Sequence, residues 1–169
     1  MRELCAAGNC RLCRLGREDA PQVLAFLRSR MDYFACVGEE LTLESVREGL
    51  TVHPPHTQAG QKWYVGLWRA GKLCAVADLV AGYPDGETLF IGLFVVGAGA
   101  QGKGLGRRLI EELSARAGAR GVRRMRLGCV EENQAGHKFW LAQGFRDVER
   151  KEGAHHGRTL LVMERDCRA

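Results

Sequence analysis

The chain has 169 residues, 46% of them hydrophobic and 27% charged, with 22 glycines against 4 prolines. At roughly 100–200 residues per domain this is one domain able to bury a core, which excludes disorder, collagen-like repeats and a second catalytic domain. The net charge of +5 comes from 25 basic and 20 acidic residues spread along the sequence; it favours an anionic partner but is too diffuse to indicate nucleic acid. No apolar run approaches the ~20 residues of a membrane span, and the first 13 residues lack the apolar segment of a signal peptide, so a cytoplasmic protein without a membrane partner is expected.

In chain order, residues 1–9 are expected to be a flexible N-terminus and residues 10–166 a single domain. The first strand falls at Arg11–Leu15. Asp19 and Pro21 open a helix whose Leu24, Leu27 and Met31 keep helical spacing to about Phe34. Thr42 caps a second helix running to Leu50. Lys62–Arg69, Lys72–Gly82 and Thr88–Val96, rich in Val, Leu, Trp and Phe, form an antiparallel meander, with a type I turn at Tyr83-Pro84-Asp85-Gly86. The period then changes. Leu105, Leu109, Ile110, Leu113 and Ala117 share one face of an amphipathic helix. Arg124–Val130 is a fifth strand, Gln134–Gln143 a helix, and Phe145–Arg150 with Thr159–Glu164 are the closing strands. A meander joined to a β-α-β crossover predicts an α+β fold, a mixed sheet flanked by helices.

Seven scattered cysteines suit reduced thiols, most of them small core residues. Cys5, Cys10 and Cys13 share the spacing of a plant-type iron–sulfur loop, but a fourth thiolate would have to come from a distant cysteine, and Ala6-Ala7-Gly8 offers no ordered ligand loop. No metal is expected.

Between a strand and a helix, Gly97-Ala98-Gly99-Ala100-Gln101-Gly102-Lys103-Gly104-Leu105-Gly106 offers backbone N–H groups and a helix N-terminus to an anion. Gly97, Gly99 and Gly102 spell the dinucleotide fingerprint, with Glu131 placed for a ribose, but too little chain follows for a doubly wound sheet. Gly97 to Lys103 spell a P-loop, except that Gly104 replaces the magnesium-binding hydroxyl.

Gln101-Gly102-Lys103-Gly104-Leu105-Gly106 also meets Q/R-x-x-G-x-G/A, and here the sequence resembles the GNAT family of acetyl-CoA-dependent N-acetyltransferases. Phe94-Val95-Val96 resembles the family's fourth strand, Asn133 follows the fifth as theirs does, and Phe139–Phe145 resembles its last helix leading into a Gly-Phe strand. The resemblance implies an α/β/α sandwich whose mostly antiparallel sheet splays between the fourth and fifth strands. It implies acetyl-CoA as cosubstrate, bound by Phe94, Val95 and Val96 along the pantetheine arm and by Gln101 to Gly106 with Arg107 at the pyrophosphate. Asn133 and Trp140 complete that set, while Arg108 reads as a solvated helix face. Gly92 marks a strand bulge, a close backbone approach or relief of packing.

The implied reaction is direct attack of a primary amine on the thioester in a ternary complex; a non-catalytic acyl-CoA sensor or partner-binding module is the alternative. Trp140 stands where many members carry a tyrosine acid, and an indole cannot serve as one. For the base, Asp78 sits in an apolar run where burial would raise its pKa, although a carboxylate satisfied by backbone or solvent fits equally. Glu131, at the end of the fifth strand, is the other candidate, with Tyr83 a further one for the base or the acceptor. Asp32 and Tyr33 are candidates to line the acceptor pocket. His137 reads as a surface or packing residue, and His155 and His156 as a solvated loop. The partner implied is a small-molecule or peptide amine, and a homodimer is admitted.

Overall fold

The computed structural model describes residues 2–7 and 9–167, with side chains from residue 9 onward. Among the described residues, eight strands form one sheet: β1 (Arg2–Ala7), β2 (Cys10–Arg14), β3 (Lys62–Arg69), β4 (Lys72–Ala81), β5 (Thr88–Val96), β6 (Arg124–Val130), β7 (Arg146–His155) and β8 (Arg158–Asp166), in the order β1-β2-β3-β4-β5-β6-β8-β7. All neighbours are antiparallel except β5 and β6. Residues 2–7, expected to be flexible, instead pair as an edge strand with β2. This extra strand makes the expected fourth and fifth strands β5 and β6.

Helices α1 (Ala20–Leu27), α2 (Met31–Val37) and α3 (Leu43–Gly49) cover one face, and α4 (Leu105–Gly118) and α5 (Gln134–Ala142) the other. Each face has its own core. Val23, Leu24, Leu27, Phe34 and Val46 pack with Tyr64, Trp68 and Val76, whereas the predicted stripe of α4, Leu105 to Ala117, packs with Val65, Leu79, Ile91, Met125 and Leu127. Cys10 and Cys13 of β2 fall in opposite cores, so they cannot ligate one cluster; Cys5 lies outside the described side chains.

Thr42 caps α3 as expected, its Oγ1 accepting from Ser45 N at 3.0 Å. The expected helix from Asp19 to Phe34 breaks into α1 and α2 at a 3-10 turn, Arg28–Arg30, where Arg30 turns aside to bond β5. The β4–β5 turn closes later than predicted, by Thr88 N donating to Asp85 O at 3.1 Å. Asp85 Oδ1 also accepts from Glu87 N and Thr88 Oγ1, and that stabilised carboxylate outweighs the expected turn at Tyr83–Gly86.

Two features shape the site. In β5, Asp78 pairs with Leu93 and Leu79 with Ile91, so Gly92 is an extra residue opposite β4. This bulge reverses the alternation: Leu89 and Ile91 face α4 before it, and Phe94 and Val96 after it. Gly92 is therefore the bulge foreseen among its readings. Beside it, the parallel pairing of β5 with β6 ends at Ile91 and Leu127, and the two strands part.

Candidate active site

A cavity of about 680 Å³ opens in the gap between β5 and β6. Its floor is Gly92, Leu93, Phe94 and Val96 of β5 with Leu127 to Val130 of β6. At one end stand Gln101, Gly102, Gly104, Leu105, Gly106 and Arg107; at the other stand Tyr33, Glu39 and His155.

The glycine end is a cradle by conformation. Gly102 and Gly104 hold φ of +69° and +72°, where a side chain is strained, and a Cβ on either would meet nothing within 4 Å. The first α4 hydrogen bond runs from Arg108 N to Gly104 O, so the N–H groups of Leu105, Gly106 and Arg107 have no acceptor within the helix. Gly106 is needed for another reason: a Cβ there would stand 3.1 Å from Val96 Cγ2 and 3.2 Å from Phe139 Cζ. Lys103 Nζ donates back to Gly99 O at 2.6 Å and so braces the loop. Lys103 also lines an adjoining open hollow with Arg69 and Arg108, all three exposed, Arg108 on the outer face of α4. These features fit a pyrophosphate, which needs close backbone approach and positive potential.

The side wall is aromatic. Phe94 stacks on Phe139 at 5.8 Å and meets Trp140 at 5.1 Å, and Trp140 leans on Phe145 at 5.0 Å. Asn133 Oδ1 caps α5 by accepting from Gly136 N at 2.9 Å, and the residue borders the cavity. Val95 is different: its side chain is buried in the opposite core, which leaves only its backbone near the cleft.

The candidate bases are placed less simply. Lys62 Nζ lies 2.6 Å from Asp78 Oδ1 and 2.7 Å from Oδ2 in a nearly buried pair. Burial pushes the Asp78 pKa up while Lys62 pulls against it. The carboxylate sits behind Gly92, 3.1 Å from where a Cβ would be, and does not line the cavity. Glu131 also lies outside the lining, on the surface, bonded by Arg150 Nε and Nη2 at 2.9 Å each, which holds its pKa below the ordinary range. Glu131→Gln is accordingly expected to keep kcat/KM within tenfold of the parent, since an exposed ion pair contributes little; steady-state kinetics check it. Tyr83 packs edge-on to Phe90 at 5.4 Å, one ring removed from the cavity that Phe90 lines. Tyr33 lines the cavity, its pKa raised by burial. Asp32 does not, being held by Arg30 Nε at 2.9 Å on the outside.

Arg30 and Glu39 escaped the sequence reading. Arg30 Nη1 donates to Val96 O at 2.6 Å, tying the α1–α2 turn to the end of β5. His155, expected to be solvated, lines the cavity with its Nε2 3.3 Å from Glu39 Oε1. Glu39, His155 and His156 place one donor atom each within 4.8 Å of one another, a set able to take a transition metal. His137 bonds Asp147 at the surface.

A mixed sheet parted beside a bulge, with a glycine cradle at the head of the following helix, suits an extended ligand that carries a phosphate group. The profile of the acetyltransferase (GNAT) family matches residues 23–145, and the chain belongs to that family and is an acetyltransferase. It is similar to an acetyltransferase from Thermus thermophilus, at 31% identity and TM-score 0.77 over 94% of this chain and 97% of that one. It is also similar in fold to the ribosomal-protein-S18-alanine N-acetyltransferase from Escherichia coli, at 17% identity and TM-score 0.72 over 95% of each chain. The spermidine N-acetyltransferase from Vibrio cholerae, in complex with CoA and spermine, aligns at 15% identity and TM-score 0.73 over 94% of this chain and 96% of that one. A search of curated proteins returns no match. Among the described residues, no helix is long and apolar enough to cross a membrane.

Proposed function

We propose that the chain transfers the acetyl group of acetyl-CoA to a primary amine of a small molecule or peptide, by direct attack in a ternary complex. The observation that carries this is the cleft itself, which runs unbroken from the glycine cradle through the gap between β5 and β6 to an end lined by Tyr33, Glu39 and His155.

Acetyl-CoA brings an acyl group on a good leaving thiolate; the chain's residues hold and polarise it. Gly102, Gly104 and the first turn of α4 take the pyrophosphate, with Lys103 and Arg107 adding positive charge. The backbone of β5 beyond Gly92, released from β6, is free to run alongside an extended arm as an added strand would. At the bulge, backbone N–H groups of Gly92 and Leu93 are the candidate donors to the thioester oxygen. Trp140 supplies an apolar wall and no proton, so the sulfur takes its proton from the attacking amine or from water.

Melting curves and turnover test the proposal. By mass action acetyl-CoA should raise the Tm, by several degrees at 100 times its Kd, whereas NAD, or ATP with magnesium, should do little. Thiol release should follow when polyamines, alanine-terminated peptides and lysine side chains are offered. Stabilisation by NAD with none by acetyl-CoA would reject the donor; tight binding of acetyl-CoA without thiol release on any amine would reject the reaction.

A further inference from the structure

The amine must lose a proton before it attacks, and the two carboxylates that the sequence suggested for this are engaged elsewhere, Asp78 by Lys62 and Glu131 by Arg150. Among the described residues lining the cavity, the titratable groups facing the acceptor end are Arg30, Tyr33, Glu39, Cys129 and His155. Arg30 is a cation held to Val96 O and Asp32. Burial raises the Tyr33 pKa and pushes the Cys129 thiol up to about 12, so neither offers an anion or draws a proton at neutral pH. That leaves Glu39 and His155.

Two local devices bring them together. Gly38, at φ +76°, ends α2 and turns the chain so that Glu39 faces the cleft. On the other side His155 pairs with Arg158 across a two-residue loop, His156 and Gly157, with φ of +48° and +76°; positive φ at both positions matches the tight turn that suits strand twist. The tip of this hairpin lies against the end of α2: Arg158 Nε is 3.0 Å from where a Cβ of Gly38 would stand.

We propose that His155, oriented by Glu39, is the proton acceptor for the attacking amine, which deepens the amine-acetylation reading and rests on it. His155 Nε2 lies 3.3 Å from Glu39 Oε1, and the neutral ring offers one nitrogen lone pair to receive a proton. The ammonium gives one proton to that nitrogen, making an imidazolium beside the Glu39 carboxylate. The amine lone pair then forms the C–N bond as the C–S bond breaks and its electrons go to sulfur. The amine's second proton reaches the thiolate, and the imidazolium returns its own to water. One proton is released per acetyl group transferred. Other charged or titratable groups on the elements around the pair are His156 and Arg158 on the hairpin, Arg30, Asp32, Tyr33, Cys36 and Glu40 about α2, and Cys129 on β6.

The experiment uses the full chain and the best acceptor from the amine panel. His155→Gln should keep CoA affinity by calorimetry, which shows that it folds, yet lower kcat/KM by ~10²–10⁴-fold and flatten the acidic limb of the pH–rate profile. Glu39→Gln should act in the same direction and by less. Diethyl pyrocarbonate read by mass spectrometry should label His155 and His156 in the free enzyme, with saturating acceptor protecting His155. Activity should persist in EDTA and fall with added zinc, which competes for the same lone pair. A His155→Gln enzyme with CoA affinity intact and kcat/KM lowered less than tenfold overturns the assignment, as does equal labelling of His155 with and without acceptor. Activity lost in EDTA and restored by zinc overturns it in favour of a metal at Glu39, His155 and His156. Absence of thiol release with every amine instead removes the underlying reading, and this proposal falls with it.

Discussion

Lys62→Met is expected to cost about 3 kcal/mol of stability at neutral pH and to regain much of it in acid. The ammonium and carboxylate of the Lys62–Asp78 pair are 7% and 16% exposed, so removing the cation strands a carboxylate that water barely reaches. Burial already pushes the Asp78 pKa up, with Lys62 as the opposing influence, so its loss raises that pKa further. The sign follows from linkage. A carboxyl whose folded pKa lies above its unfolded one contributes fully below the unfolded value, and the contribution is lost as pH rises through the folded value. Urea unfolding at pH 4 and pH 7 should therefore give a larger deficit at pH 7. The double variant Lys62→Met, Asp78→Leu should recover most of the stability, because packed apolar groups replace a buried pair at little cost. Asp78→Asn should keep turnover per folded molecule within tenfold of the parent. A loss of a hundredfold or more with the fold intact would return Asp78 to the chemistry.

What was legible in the sequence is what is encoded within a few residues. The capping pair Thr42 and Ser45, the stripe Leu105 to Ala117 and the glycines before it are local signals, and each stands in the structure as expected. Gly92 was legible as an irregularity but not as a bulge alone, because the bulge exists only against the register of β4. The break at Arg28–Arg30 was hidden because the apolar spacing runs through it; the partner that draws Arg30 aside, Val96 O, is far along the chain. For the same reason the pair at the α2 end of the cavity was not legible. Glu39 and His155 carry no local signal and meet only when the β7–β8 hairpin reaches the end of α2. Glu131 resembled a free carboxylate until β7 placed Arg150 beside it.

The sharpest test of the cradle is Gly104→Asn, which should leave the Tm within a few degrees and weaken CoA binding at least tenfold, about 1.4 kcal/mol. Two reasons for a glycine coincide at this position and have to be separated. One is conformational: at φ +72° an ordinary side chain costs roughly 1–2 kcal/mol, so Gly104→Val would lower stability whatever binds there. The other is room: no atom lies within 4 Å of a Cβ at Gly104, so a side chain there points into open space at the head of α4. Asparagine visits the left-handed region with little strain, which removes the first effect and keeps the second. Gly106→Ala provides the contrast, because its Cβ would press on Val96 and Phe139, and it should lower stability as well as affinity. Calorimetry with CoA alone, paired with melting curves, reads both quantities on each variant. An unchanged Kd in Gly104→Asn would mean that the open space in front of α4 is not where the phosphates lie, and the pyrophosphate would have to be sought in the adjoining open hollow of Arg69, Lys103 and Arg108.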